Sequence, residues 1–97
     1  MRVNLRSTAL LDLQRIAGFY AEHNPTYTRK ISKELRAKAG ELSRFPLRGK
    51  PMPGLGEGMR ALVHGNFLIL YQVNDHEVAV LRVIDGRRDI AVEIGDE

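Results

Sequence analysis

The chain has 97 residues, of which 43% are hydrophobic and 28% are charged, values typical of one small globular domain spanning residues 1–97. Cysteine is absent, which excludes disulfides, thiolate metal sites and cysteine nucleophiles, and we expect neither a metal nor a cofactor. No apolar stretch approaches the roughly 20 residues that span a bilayer, and the first six residues lack the apolar run of a secretory signal. We therefore expect a cytoplasmic protein without a membrane partner.

The N-terminal segment predicts a strand followed by a helix. Residues 3–6 alternate between apolar and polar side chains, which is typical of a strand. Ser7 and Thr8 offer capping hydroxyls, and the apolar residues that follow recur at helical spacing to about His23. We expect Asp12, in the first turns, to favour the helix dipole, and His23 to act as a cation at the C-terminal end.

A second helix follows at once. Asn24 is a good helix cap, and Pro25 suits the first helical position because its missing N–H is not needed there. An apolar stripe continues to about Pro46, while residues 29–50 carry eight Lys and Arg residues against two acids. The outer face is therefore basic. It could follow nucleic acid or an acidic segment of another protein, although a solvated face is the simpler interpretation.

Residues 46–58 contain three prolines and four glycines and predict a long loop. Pro51 stands where a nucleotide-binding Walker loop requires Ser or Thr, which favours a plain connecting loop over a nucleotide cradle. Three apolar segments separated by short turns then predict a meander of antiparallel strands: Met59–His64, Phe67–Val73 and residues 77–84. The order β-α-α-β-β-β predicts an α+β fold, a helical hairpin packed on a small, mainly antiparallel sheet.

Four arginines lie on or just beyond the predicted strands, where they are costly to place without a partner. They are Arg60, Arg82, Arg87 and Arg88. Arg82 interrupts an apolar strand, so its side chain either pairs with an acid such as Asp85 or Asp89, or lines a cleft for an anionic partner. We predict that the four form a target-binding surface, with structural ion pairing as the alternative.

His64 ends the first strand of the meander, beside a Gly-Asn turn. A histidine there could act as a general base near neutral pH. The nearby sequence holds no second histidine or carboxylate at a suitable spacing, which favours the alternative of a solvated turn histidine.

Taken in order, these segments resemble the RelE/ParE toxins of bacterial type II toxin–antitoxin systems, and they are most similar to the ParE branch. The resemblance covers roughly residues 3–90. It is carried by Asp12-Leu13, Ile16 and Tyr20 in the first helix, Phe45-Pro46 and Gly49-Lys50-Pro51 after the second, Gly58-Met59-Arg60, Phe67-x-Ile69-x-Tyr71, and Val80-Leu81-Arg82-Val83-Ile84-Asp85-Gly86-Arg87-Arg88. The family fold agrees with the order of elements predicted above.

The resemblance implies one of two targets. Members related to RelE are ribosome-dependent mRNA endonucleases, whereas ParE members poison DNA gyrase, and each is held inactive by a cognate antitoxin. Cleaving relatives usually place a Tyr or His a few residues beyond the position of Arg88, where residues 90–94 supply neither. They also carry cations on the central strand, where this chain has Leu68 and Leu70. We therefore predict a gyrase inhibitor without catalytic residues.

Two alternatives stay open. If the chain is instead a nuclease, His64, Arg60 and Arg88 are the residues expected to carry catalysis. A relative that has lost toxicity and still binds its antitoxin is the third possibility.

The resemblance also implies a hetero-oligomeric complex with an antitoxin. We expect an acidic, partly disordered antitoxin segment to lie along the helical hairpin and the sheet edge, and to order as it binds. Apolar residues in excess of what the core needs are candidates for receiving it, with ordinary core packing as the alternative. They are Leu10, Leu11, Phe19, Tyr27 and Phe45.

Overall fold

The computed structural model describes residues 1–22 and 24–87, and it places them in five strands and two helices. The strands are β1 (Arg2–Leu5), β2 (Lys50–Pro51), β3 (Met59–His64), β4 (Phe67–Val73) and β5 (Glu77–Asp85). The helices are α1 (Ser7–Ala21) and α2 (Pro25–Gly40). The sheet order is β1-β5-β4-β3-β2, with β1 parallel to β5 and the other pairs antiparallel. Neither helix of the described chain is long and apolar enough to cross a membrane.

This arrangement confirms the predicted α+β fold, and several details differ. The second helix ends at Gly40 and continues only as a short 3-10 turn, instead of reaching Pro46. The predicted loop of residues 46–58 contains β2, because Lys50 pairs with Ala61 at the edge of the sheet. A strand of two residues is too short to give a hydrophobic pattern, so it escaped prediction.

The start of α1 differs from the expectation that Ser7 and Thr8 would cap it. Arg6 occupies the N-cap position, and among the described residues no side chain caps the helix. The Arg6 N–H pairs with the Val80 carbonyl, which brings the first turn of α1 against β5. The Thr8 hydroxyl therefore donates to the Leu81 carbonyl, at 2.5 Å, and ties the helix to the sheet.

The start of α2 confirms its prediction. The Asn24 side chain accepts a hydrogen bond from the Tyr27 N–H at 3.0 Å, and Pro25 takes the first helical position. These two residues turn the chain sharply enough to make α1 and α2 a hairpin. His23, which was expected to act on the dipole of α1, lies outside the described residues.

The core lies between the hairpin and one face of the sheet. Its buried members are Ala9, Leu13 and Ile16 of α1, Ile31, Leu35 and Ala39 of α2, Leu42, Leu62 of β3, Phe67, Ile69 and Tyr71 of β4, and Val78, Val80 and Val83 of β5. Full burial of one such aliphatic side chain stabilises the fold by about 1.5–3 kcal/mol. This cluster therefore holds the two layers together.

A bulge in β5 decides which of its side chains reach the core. The register with β4 shifts so that Leu81 is an extra residue on β5. Strict alternation from Val80 would place Arg82 on the core side. The extra residue instead leaves Arg82 exposed and buries Val83 and Asp85.

Candidate target-binding site

Arg82 is held by a buried acid on α1. Its Nε donates to Asp12 Oδ2 at 2.7 Å and its Nη2 to Asp12 Oδ1 at 3.1 Å, the two-pronged geometry that matches a guanidinium to a carboxylate. The Asp12 side chain is 8% exposed and that of Arg82 is 44% exposed. The structure therefore pairs Arg82 with Asp12, where the sequence suggested Asp85 or Asp89, and leaves part of the arginine at the surface.

Asp12 does not act on the helix dipole as expected, because it lies beyond the first turn of α1 and faces β5. Its Oδ2 also accepts the main-chain N–H of Val83 at 2.9 Å. β1 pairs with β5 only as far as Val80. Beyond that point, the Asp12 carboxylate supplies a hydrogen-bond acceptor for the edge of β5. Three hydrogen bonds thus offset the cost of burying this charge.

Asp85 ties the end of β5 to the helical hairpin. It is 1% exposed, and it accepts the Tyr20 hydroxyl at 2.7 Å and the main-chain N–H of Arg87 at 3.1 Å. The Tyr20 ring meets that of Tyr27 edge-on, with centroids 5.0 Å apart. Burial, followed by the bond to Asp85, raises the pKa of Tyr20 to about 12, so the phenol remains a donor at neutral pH.

Arg87 extends from this network towards the turn between β3 and β4. The N–H of Gly86 donates to the Asn66 carbonyl at 2.8 Å. The Asn66 amide is oriented so that both its oxygen and its nitrogen are satisfied. In this orientation its oxygen accepts hydrogen bonds from Arg87 Nε and Nη2, both at 3.2 Å. An exposed cation held on both its backbone and its side chain is preorganised for an anionic partner. Arg88 lies outside the described residues.

Arg60 supports the loop between α2 and β2. Its Nη1 donates to the Gly49 carbonyl at 2.7 Å and to the Leu47 carbonyl at 3.1 Å. One charged group thus holds two carbonyls of the loop against the start of β3. Arg60 has a structural role here, and its contact with a target stays a prediction.

Tyr71 holds the same loop from the core side. Its buried hydroxyl accepts the Gly49 N–H and donates to the Pro46 carbonyl, both at 2.8 Å. A Cβ at Gly49 would lie 2.7 Å from the Tyr71 hydroxyl oxygen and 2.9 Å from the Ala61 carbonyl oxygen. Glycine is therefore required at position 49, because neither a hydrogen-bonded core tyrosine nor a strand can move away.

The three arginines that the structure describes do not form one cluster. Arg60 lies near the start of β3, whereas Arg87 follows β5 and sits beside the turn after His64. Four residues of extended chain, about 13 Å, separate Arg60 from that turn. Arg82 lies on β5, and β4 stands between it and Arg60.

His64 faces α2. Its Nε2 lies 4.0 Å from Glu34 Oε2, and its side chain is 30% exposed. Arg60, at the other end of β3, is turned towards loop carbonyls, so the structure does not gather these two candidates of the nuclease alternative. Within the described residues, no group of three or more His, Asp or Glu side chains is arranged to hold a metal ion.

Four of the five apolar candidates for antitoxin contact are exposed. Their exposed fractions are 40% for Leu10, 45% for Leu11, 43% for Phe19 and 50% for Phe45. Tyr27 is partly buried and packs against the core, and its contact with an antitoxin stays a prediction. Sequence reasoning missed four further exposed large hydrophobic residues of the described chain, Met1, Leu47, Leu55 and Val63.

Sequence reasoning also did not identify the contacts that position the arginines, which are made by Asp12, Tyr20, Asp85 and Asn66. One signal was available for Asp12. It lies three residues after Ala9 and four before Ile16, so it falls on the apolar face of the helix, where an acid requires a partner.

A family model described as the ParE toxin of the type II toxin–antitoxin system parDE matches residues 3–90. Among curated proteins, Toxin ParE3 of Caulobacter vibrioides (strain ATCC 19089 / CIP 103742 / CB 15) is 28% identical over 85 residues, which cover 87% of this chain and 85% of that protein.

Two solved structures share the fold. The chromosomal ParDE system from P. aeruginosa gives a TM-score of 0.76 at 22% identity, over 88% of this chain and 95% of that chain. The toxin–antitoxin complex RelBE2 from Mycobacterium tuberculosis gives a TM-score of 0.67 at 30% identity, over 87% of this chain and 95% of that chain.

The fold and the matched residues define a toxin of a type II toxin–antitoxin system. Because the family model covers residues 3–90, the chain belongs to the ParE toxin family. The resemblance inferred from the sequence is confirmed.

Proposed function

We propose that this ParE-family toxin inhibits DNA gyrase by binding to it, and that a cognate antitoxin keeps it inactive. The proposal rests on the positions and contacts of the cationic side chains. A ribonuclease needs a general base, a general acid and cations around one phosphate. Within the described residues, Arg60 binds loop carbonyls and His64 faces Glu34, so these groups do not converge.

The exposed arginines of β5 and its continuation suit the binding of a macromolecule. Arg82 and Arg87 keep exposed surface while their neighbours hold them in place, so little conformational entropy is lost when a partner binds. Arginine is also enriched among residues that dominate binding energy at interfaces. We assign gyrase contact to Arg82 and Arg87, we include Arg60 and Arg88 in the assignment as the sequence predicts, and we attribute inhibition to occupancy alone.

The antitoxin is proposed to bind the exposed apolar side chains. Leu10, Leu11 and Phe19 project from α1, and Phe45 follows α2. Leu11 and Phe19, eight residues apart, lie on one side of α1, and exposed apolar side chains that lie together mark interaction sites. A net charge of +3 favours an acidic segment as the binding partner. The two similar solved structures come from a ParDE system and a RelBE2 complex, which supports a hetero-oligomer.

Ribosome-dependent mRNA cleavage is the second candidate. The likeness to the RelBE2 complex, at 30% identity, is the observation that favours it. In that case His64, Arg60 and Arg88 would carry the chemistry.

One pair of assays separates the candidates. The purified chain is added to gyrase in a supercoiling assay and to programmed ribosomes in an mRNA cleavage assay. We expect lost supercoiling with trapped, cleaved DNA, and intact mRNA. Codon-specific cuts with unaffected gyrase would establish the nuclease instead. Activity in neither assay, with no growth arrest on induction, would indicate a relative that has lost toxicity.

The arginine assignment is tested with Arg87→Ala, matched by Arg15→Ala on the exposed surface of α1. We expect Arg87→Ala to weaken gyrase inhibition about tenfold, the effect of losing one interface arginine. Arg15→Ala should stay within about twofold of the natural chain. Equal potency of the two variants would remove Arg87 from the site, and circular dichroism checks that both variants are folded.

A further inference from the structure

The outer face of α2 carries a cluster of positive charge that the proposed gyrase site does not use. This basic stripe consists of Arg29, Lys30, Lys33 and Arg36, all exposed. Spacings of three and four residues place Arg29 and Lys33, Lys30 and Lys33, and Lys33 and Arg36 side by side on the helix. Within the described chain, none of the four forms an ion pair or a side-chain hydrogen bond.

The basic stripe opposes the stability of its own helix. Like charges three or four residues apart repel each other, and Lys33 takes part in each of the three pairs. Glu34 is the one acid within Pro25–Gly40, and its carboxylate lies 4.0 Å from His64. A row of cations that lowers helix stability and lacks partners among the described residues points to a partner outside the chain.

The chemistry of the surface indicates what kind of partner. Within the described ranges, every exposed large hydrophobic side chain lies outside α2. Protein interfaces centre on buried apolar or aromatic anchors, whereas a phosphate backbone is bound through charge alone. Single strands additionally require aromatic residues for base stacking, and the one aromatic residue of α2, Tyr27, packs against the core. A duplex backbone fits these observations best.

We propose that the basic stripe binds the phosphate backbone of duplex DNA without regard to base sequence. Arg29 and Arg36 lie about 10 Å apart along the helix axis, and one strand of a duplex presents a phosphate every 3.4 Å or so. The stripe therefore reaches several phosphates at once. This activity goes beyond gyrase binding and does not depend on it.

The binding is measured by fluorescence anisotropy, with the purified full chain and a labelled 20-base-pair DNA duplex of mixed sequence. Each phosphate contact contributes a slope of about −0.9 to the dependence of log affinity on log salt. Three or four contacts then predict an affinity loss on the order of 10²-fold between 50 and 200 mM salt. No topoisomerase is present, so failure here and failure of the gyrase proposal are distinguishable.

Two double variants with equal net charge locate the binding surface. Lys33→Glu with Arg36→Glu should weaken DNA binding at least about tenfold at 50 mM salt and reduce the salt slope by about 1.8, because two contacts are lost. Arg15→Glu with Lys50→Glu, at exposed positions outside the stripe, should weaken it less than about threefold. Circular dichroism verifies that both are folded.

Several outcomes would overturn the proposal. One is failure of the natural chain to bind DNA at 50 mM salt. Another is an equal loss of binding in the two double variants, which would mean that the overall positive charge, and not the stripe, attracts the DNA. An RNA duplex bound about tenfold more tightly than DNA would assign the stripe to RNA. Loss of antitoxin affinity in the stripe variant, with no DNA binding by the natural chain, would assign it to an acidic protein segment.

Discussion

The two helices are attached to the sheet by different kinds of interaction. α1 reaches β5 through three polar side chains, Thr8, Asp12 and Tyr20, each of which hydrogen-bonds to a different part of that strand. α2 is held mainly by the apolar stripe around Leu35. Hydrogen bonds fix both distance and direction, whereas apolar contacts fix little beyond proximity.

This difference explains where each helix carries its functional surface. The polar contacts of α1 also position Arg82 and the residues after Asp85, so α1 and the proposed target surface form one unit. The outer face of α2 takes no part in attachment, and it can carry charge at a small cost in stability. The difference between the two helices can therefore be tested by removing, one at a time, the side chains that hold each helix to the sheet.

The largest effect is expected from removing the apolar attachment of α2. Leu35 is 1% exposed, and Leu35→Ala should lower the free energy of unfolding by about 4 kcal/mol, through lost burial and the cavity left behind. Urea unfolding gives the value. The exposed neighbour Arg36→Ala should change it by less than about 0.5 kcal/mol. A loss below about 1 kcal/mol for Leu35→Ala would show that α2 is held by something else.

Removing the buried acid of α1 should have the next largest effect. Asp12→Ala leaves the Val83 N–H without its acceptor and removes the Asp12 carboxylate from Arg82, and should cost about 2 kcal/mol. Asp12→Asn keeps one acceptor for Val83 and should lose less. Urea unfolding measures both, and faster hydrogen exchange at the Val83 amide should accompany the loss. An unchanged amide in Asp12→Ala would contradict the role given to this carboxylate.

A smaller effect is expected at Tyr20, where one hydrogen bond links α1 to Asp85. Tyr20→Phe should lower the free energy of unfolding at pH 7 by about 1 kcal/mol. Tyr27→Phe is the control, because within the described residues its hydroxyl makes no hydrogen bond. Equal losses in both variants would assign the effect to the aromatic packing instead of the bond.

The same bond predicts a dependence on alkaline pH. The pKa of Tyr20 in the folded state is about 12, above its ordinary value of 10.0, so folding favours the protonated phenol. Its contribution is complete below pH 10 and is lost as the pH rises from 10 through about 12. The difference in stability between the natural chain and Tyr20→Phe should therefore shrink over that window. A constant difference would show that the bond does not govern the titration.

The smallest effect has the opposite sign. Lys33→Gln removes three like-charge contacts from α2 and should raise stability by a few tenths of a kcal/mol, since Gln and Lys have similar helix propensity. Thermal unfolding at low salt should show a Tm higher by about 1–3 °C. Arg15→Gln should leave Tm almost unchanged. A lower Tm in Lys33→Gln would mean that the basic stripe stabilises the helix.

The order of the elements could be predicted because it depends on local patterns. Apolar spacing marks the two helices, Asn24-Pro25 marks the turn between them, and short turns separate the strands of the meander. Boundaries that depend on distant partners could not be found in this way. β2 exists because Lys50 meets Ala61, and the end of β1 is set by its pairing with β5.

The site was predicted less completely, for two physical reasons. The bulge at Leu81 changes which side of the sheet Arg82 occupies, and no local pattern signals one extra residue. The partner of Arg82 lies 70 positions away, so sequence proximity suggested nearer acids. Arg60 shows the same limit, because its carbonyl partners belong to a loop that no periodicity describes.

The parallel pairing of β1 with β5 has a consequence for the time course of synthesis. Arg2 lies opposite Glu77, so β1 has no partner in the sheet until β5, about 70 residues later, has been translated. Pairing over so long a separation is slow compared with closing a hairpin such as β4–β5. A prematurely terminated chain lacking β5 leaves Thr8, Asp12 and Tyr20 without their acceptors and donors. We therefore expect the folded toxin to form only after β5 has left the ribosome.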